Sequence, residues 1–261
     1  MVKLQLKKFA ALLSRPDKPT LLISPKEIIS LSKGRPDNAL RMTCPAADGR
    51  EWAGAMACLS EWCRKQKAAA DRAVEPVIVI SNHWVRYVVL PADRGKLRRT
   101  EEVEFARAMV AERNGAEWES STIRLSRGVS DEGIIAAAIP EALLADINAA
   151  LSASGMRCSA IQPLFSHTLD HARFPGGSSH ALLACVEPGR MVIGMVGNDG
   201  WSWVQSPLSG LKPAVTLERE LSREQSLFAV TGEMPLYLFE HGASVDQAID
   251  PALQVVIHRL H

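Results

Sequence analysis

Two histidines four residues apart raise the first chemical question. In His167-Thr168-Leu169-Asp170-His171 both imidazoles fall on one face of a helix. That spacing can chelate Zn²⁺, with Asp170 or the distant His180 as a third ligand. No glutamate base lies between the two histidines, and no cysteine pair accompanies them. The plainer reading is an exposed polar helix face beside a linker. Nucleophilic chemistry finds less support. The chain has no G-x-S-x-G elbow. Gly176-Gly177-Ser178-Ser179-His180 lacks the Lys-Ser/Thr that would make it a phosphate loop. The five cysteines, Cys44, Cys58, Cys63, Cys158 and Cys185, are scattered and form no CxxC, the pattern of reduced, mostly structural thiols in a cytosol. Cys58 and Cys63 fall on one predicted helix, where core packing is the expected role.

A second cluster lies in VIVISNHWVRYVVLP, residues 77–91. Two strand-like runs flank Ser81-Asn82-His83-Trp84, and Arg86 interrupts the second run. A strand reversal through a polar Asn82-His83 turn accounts for it, since Asn tolerates the left-handed region. Trp84, Arg86, Val88 and Leu90 would then share one strand face, and Val85, Tyr87 and Val89 the other. Arg86 would snorkel. Trp, Tyr and Arg are also the side chains that anchor interfaces.

The elements that must position these residues follow from periodicity. Residues 1–20 read as a basic arm: Lys3, Lys7, Lys8, Arg15 and Lys18 stand against Asp17 alone. A solvated tail, an added strand or helix, or a contact with anionic lipid or DNA are all open to it. Strands are then predicted at Leu21–Ser24, Glu27–Ser32 and Ala39–Cys44. Trp52, Met56, Leu59 and Cys63 recur at helical spacing over Glu51–Lys67, and Val77–Ser81 is a strand. A strand at Trp84–Leu90 and a helix at Thr100–Asn114 follow, with Val103, Ala106, Met109 and Val110 on one side and Gly115 as its stop. Strands at Thr122–Ser126 and Gly133–Ile139 come next. Pro140 opens a helix that buries Leu144, Ile147 and Leu151 and closes at Gly155. Cys158–Gln162 is a strand, Leu164–Ala172 a short helix, and Phe174–Ser179 the best linker in the chain.

The last segment repeats the first. His180–Val186, Arg190–Val196 and Trp201–Gln205 are strands, Val215–Val230 is a helix and Leu236–Glu240 a strand. Leu253–Leu260 is strand or helix. Trp201 and Trp203 alternate onto one strand face, and Trp52 and Trp62 pack a helix on a sheet. Two β-β-β-α-β units thus bracket an α/β insertion. The expected fold class is α/β and actin-like: duplicated ribonuclease-H-like units. The expected domains are an arm at 1–20, a first lobe at 21–172 with an inserted subdomain at about 84–139, and a shortened second lobe at 180–261.

Whole-chain numbers exclude some functions. The chain has 261 residues, 47% apolar and 23% charged, with Lys+Arg 30 against Asp+Glu 29. That balance gives no global attraction to nucleic acid or anionic membrane. The first residues do not read as a signal peptide, and no apolar run approaches the roughly 20 residues that cross a bilayer.

The run from VIVISNHWVRYVVLP through EEVEFARAMVAERNG and IIAAAIPEALLADINAALSASGMRCSAIQPLFSHTLD to HALLACVEPGRMVIGMVGNDG resembles the actin-like proteins of type IV pilus assembly, the PilM family. It is similar also to the cytoplasmic domain of the type II secretion protein GspL. The resemblance rests on Leu90-Pro91, Glu101-Glu102, Ile139-Pro140, Gly155 and Ile161-Gln162-Pro163, and it covers about residues 77–200.

That resemblance implies a non-catalytic cytoplasmic scaffold, peripheral to the inner membrane through a partner. The implied partners are the cytoplasmic tail of a single-span membrane protein and, further, an assembly ATPase. The inserted subdomain would form the groove for the tail, with Trp84, Arg86, Tyr87, Glu101, Glu102, Phe105 and Arg107 contributing. Nucleotide-binding members carry an Asp-Gly turn between the first two strands of each unit, which brings backbone amides and, through Mg²⁺, a carboxylate to phosphates. Here those turns read Ser24-Pro25-Lys26-Glu27 and Glu187-Pro188-Gly189-Arg190, and a later Gly-Gly reads Glu240-His241-Gly242. Proline removes a donor, and Glu187 would repel phosphate. The expectation is therefore no cofactor, no metal and no enzyme. An ATP-binding protein or degenerate sugar-kinase-like ATPase of the same fold is the alternative.

Overall fold

The computed structural model describes residues 19–31, 40–46, 49–69, 75–91, 97–126, 133–171, 180–197, 200–210, 212–228, 234–241, 243, 245 and 255–260. The basic arm, the 174–179 linker, Asn198-Asp199 and Gly242 lie outside the described residues.

Packing divides the chain into two units. The first holds residues up to Val85, then Ser120–Thr122 and Ile139–Asp170; the second holds Arg86–Glu119, Ile123–Ala138 and His171–His261.

The first unit is built on β1 (Thr20–Ile23), β2 (Glu27–Leu31), β3 (Leu40–Thr43), α1 (Ala53–Ala69), β4 (Val77–Ile80), α3 (Glu141–Ala153), β8 (Ala160–Pro163) and α4 (Leu164–His171). Its sheet runs β3-β2-β1-β4-β8. The β1–β2 and β2–β3 pairs are antiparallel, and β1–β4 and β4–β8 are parallel. Leu21, Ile23, Ile28, Ile78 and Ile80 are buried in it, and α1 adds Leu59, Trp62 and Cys63. Each such aliphatic side chain gains about 1.5–3 kcal/mol on burial. Trp52 behaves differently from expectation. It stands just before α1, and its indole N–H donates to Asp146 Oδ2 at 2.8 Å, where Arg50 also donates at 2.9 Å. The ring thus ties α1 to α3 at their surface. On α3 the buried side chains are Leu143, Ile147 and Leu151, so the apolar stripe begins at Leu143, not Leu144.

The second unit contains β5 (Arg86–Leu90), α2 (Arg99–Asn114), β6 (Ser121–Ser126) and β7 (Ile134–Pro140), and then β9 (His180–Glu187), β10 (Gly189–Gly197), β11 (Gly200–Gln205), β12 (Leu208–Gly210), α5 (Pro213–Phe228), β13 (Met234–Glu240) and β14 (Val255–Leu260). Its larger sheet runs β11-β10-β9-β13-β14, with β12 beside β10. The β10–β11 and β9–β10 pairs are antiparallel, and β9–β13 and β13–β14 are parallel. This is the strand order and the sense of the first unit's sheet repeated. The end of the chain, open between helix and strand from sequence, is a strand because it completes that repeat.

The smaller sheet runs β5-β7-β6. It corrects the reading of 77–91. β4 and β5 are not two arms of one hairpin: β4 lies between β1 and β8, whereas β5 pairs antiparallel with β7. The link between them is a short 3₁₀ turn, Asn82–Trp84, so Trp84 precedes the strand instead of sharing its face. Ser81 Oγ accepts the His83 N–H at 3.2 Å, which favours the turn over continued extension. Asn82 is buried because its Oδ1 accepts the Phe165 N–H at 3.2 Å.

The tryptophans of β11 are corrected as well. Met195 pairs with Trp203 but Val196 pairs with Trp201, a bulge that skips Ser202. One extra residue reverses the pleat. Trp203 joins the core with Leu217 and Leu236, while Trp201 lies over Gly194 on the opposite face. Both rings are buried.

Candidate functional site

The hairpin between β1 and β2 is closed from within. Ser24 N–H donates to Glu27 O at 3.0 Å, Ser24 Oγ donates to the same oxygen at 2.9 Å, and Glu27 N–H donates to Ser24 Oγ at 3.2 Å. Pro25 has no N–H to offer. The Glu27 carboxylate is engaged by Arg41 at 3.0 Å. In the second unit, Pro188-Gly189 makes the turn between β9 and β10, with Gly189 at φ +87°, the left-handed geometry that Pro-Gly supplies. Glu187 and Arg190 face each other in register across it, and both are buried. Arg190 Nη1 donates to Ser206 O at 3.1 Å. At the third position, Glu240 Oε1 accepts the Val245 N–H at 2.6 Å, and the His241 N–H donates to Val186 O at 2.8 Å.

The inserted elements form the other candidate surface. Val103, Ala106, Met109 and Val110 pack α2 onto β5, β7 and β6 through Val88, Leu90, Ala136 and Ile123. This is the apolar side that the spacing gave. Gly115, at φ +111°, ends the helix, and its N–H donates to Ala111 O. A 3₁₀ turn, Ala116–Glu119, then folds Trp118 into the same core. The opposite side of α2 carries Glu104, Arg107, Ala108, Ala111 and Glu112, which with Ala116 and Glu119 line an open groove of about 620 Å³. Three alanines and three glutamates line it, with Arg107 donating to Glu104 at 2.6 Å.

The seven residues singled out from sequence separate in this geometry. Trp84, Tyr87 and Glu102 are buried, so they do not present themselves on that surface. Glu101 is exposed, but its carboxylate accepts the Arg98 N–H at 2.6 Å and caps α2. Arg86 is half-buried with its guanidinium over the Trp118 ring. Phe105 stands 39% exposed, one of few large apolar side chains so placed among the described residues. Arg107 lines the groove. Sequence reading named Arg107 but missed Trp118 and the lining at 104, 108, 111 and 112, although with 107 that i, i+3, i+4, i+7, i+8 spacing marks one helix face.

The remaining candidates are dispersed. His167 Nδ1 lies 3.0 Å from Gln162 Oε1. His180 packs over Gly197. The side chain of His171 lies outside the described residues. Among the described residues no three His, Cys, Asp or Glu side chains form a group able to hold a metal ion.

The paired sheets and the inserted three-stranded sheet define a protein of the actin-like fold. Three solved structures carry the likeness. One is the PilM–PilN type IV pilus biogenesis complex, with TM-score 0.59, 14% identity and coverage of 94% of this chain and 88% of that one. Another is the cytoplasmic domain of EpsL, an inner-membrane component of the type II secretion system of Vibrio cholerae, at TM-score 0.56, 13% identity, 94% and 90%. The third is a Bacteroides thetaiotaomicron protein described as having an actin-like ATPase fold and unknown function, at 0.55, 12%, 94% and 91%. At these identities the likeness establishes the fold. No family model and no curated protein matches the sequence.

Proposed function

We propose that this chain is a non-catalytic actin-like scaffold of a type IV pilus or type II secretion assembly platform, held at the cytoplasmic face of the inner membrane by binding the cytoplasmic tail of a single-span membrane protein. An assembly ATPase is a further proposed partner. The observation that carries this reading is the chemistry of the two repeated hairpin turns. Where phosphate-binding relatives of the fold present Asp-Gly, both turns here hold proline. The first spends the Ser24 and Glu27 N–H groups internally, and the second pairs buried Glu187 against Arg190. Oriented free amides are what make such a turn an anion site. The likeness to a complex of PilM with PilN, and to EpsL, supports a role in assembly. No helix among the described residues is long and apolar enough to cross a membrane.

The proposed docking surface is the outer side of α2, where Phe105 stands exposed and Arg107 lines the open groove with alanines and glutamates, with Glu101 capping the helix and Arg86 bracing Trp118 beneath. Its glutamates favour a tail carrying Lys or Arg, the composition that cytoplasmic segments next to a membrane span commonly have. The test is thermal denaturation of the full chain with two additions. A synthetic peptide of the cytoplasmic tail encoded beside this gene raises the midpoint, because a ligand of the native form alone stabilises it. ATP–Mg²⁺ leaves it unchanged. A nucleotide-dependent rise with no peptide effect would replace the scaffold by an ATPase.

A further inference from the structure

Two of the buried cysteines are neighbours. Cys44 follows β3 and Cys58 lies in the second turn of α1, and they are 8% and 5% exposed. Cys44 Sγ lies 3.8 Å from Ser24 O, and Cys58 Sγ lies 3.6 Å from Met42 O and 3.8 Å from Thr43 O. Cys58 is therefore packed against the backbone that leads into Cys44.

The strand they adjoin is one of the two edge strands of its sheet. β3 is hydrogen-bonded on one side to β2. Its side chains are mostly exposed, with Leu40 at 48%. Edge strands with little buried surface are the first to detach. The Cys44 N–H also donates to Lys26 O at 2.7 Å, so this residue links the strand to the first hairpin turn.

We infer that Cys44 and Cys58 are a disulfide site: a two-electron thiol oxidant joins them and fastens the end of β3 to α1. With the azo oxidant diamide, both S–H bonds break and one S–S bond forms. The two protons and two electrons pass to the N=N group, giving the hydrazine. A bond across so short a loop stabilises the fold mainly by restricting the unfolded chain. Burial is the main cause that pushes the Cys44 thiol up to about 12, with Cys58 and Glu27 adding to it. Thiolate is thus scarce at neutral pH, which keeps the pair reduced until a strong oxidant or a local opening reaches it.

The test uses the full wild-type chain, so it does not depend on a variant folding. Native protein is treated with diamide, quenched, and mapped by mass spectrometry without reduction. The expected product is a Cys44–Cys58 cross-linked peptide lacking two hydrogens, reversed by dithiothreitol. The oxidised monomer melts several degrees higher. Cys58→Ala loses both the cross-link and the shift. Recovery of both thiols in reduced form, or cross-links that involve Cys158 or Cys63 in their place, overturns the inference.

Discussion

The Arg86 guanidinium carbon lies 4.5 Å from the centroid of the Trp118 ring. The contact joins the start of β5 to the 3₁₀ turn that follows α2, so a cation in a strand helps hold the helix that carries the proposed docking surface. A partly desolvated cation–π contact contributes about 1 kcal/mol. Arg86→Ala and Trp118→Leu should each destabilise the chain, and a double-mutant cycle from urea denaturation should give a coupling of about 0.5–1 kcal/mol. Additive effects would show that the ring and the guanidinium are merely adjacent.

The docking proposal assigns different outcomes to neighbouring side chains. Phe105→Ala and Glu112→Lys on the outer side of α2 should weaken binding of the tail peptide at least tenfold, with circular dichroism and melting midpoint unchanged. Calorimetric titration measures it. Tyr87→Ala, at a buried position, should lower the midpoint instead. Wild-type affinity in the double variant Phe105→Ala, Glu112→Lys would move the partner to another surface.

Gly133 precedes β7 with φ +62°, and its carbonyl accepts the Trp201 N–H at 2.9 Å. A Cβ there would collide with the Trp201 backbone. Gly133→Ala should therefore cost about 1–3 kcal/mol, from strain at positive φ and from displacement of β11. Gly155→Ala provides the contrast. Its φ is +73°, but a Cβ there meets nothing within 4 Å, so it should cost less. Equal losses would show that backbone strain alone sets both.

Trp84 is 1% exposed, and its indole nitrogen is buried without a hydrogen-bond partner. Trp84→Phe should be mild, since only volume is lost. Trp84→Ala should cost about 3–5 kcal/mol through the cavity it leaves. Denaturant midpoints at constant slope separate the two.

Burial holds the His241 imidazole below its ordinary 6.5. The unfolded chain takes up the proton first as pH falls below 6.5, so stability declines from that point until the folded imidazole also titrates, and is level beyond. His241→Gln should flatten the urea midpoint against pH over that window. An unchanged profile would assign the slope to another group.

Local pattern reached far into this protein. Helical spacing at 103, 106, 109 and 110 marked the buried side of α2, and turn residues marked nearly every boundary, because apolar period and backbone restriction are written in neighbouring residues. The repeated β-β-β-α-β order was legible for the same reason. The sheets that strands join were not. β4 and β5 are separated by a few residues, yet parallel partners from distant parts of the chain claim one and β7 claims the other. The single skipped residue at Ser202 sent Trp201 and Trp203 to opposite faces, and one residue in a two-residue period leaves no mark in composition. The candidate surface shows the same limit. The resemblance placed Trp84, Tyr87 and Glu102 at the groove, but all three are buried, while Phe105 on α2 is left outside. Which side of an element meets solvent depends on what packs against it, and that partner is rarely its neighbour in the chain.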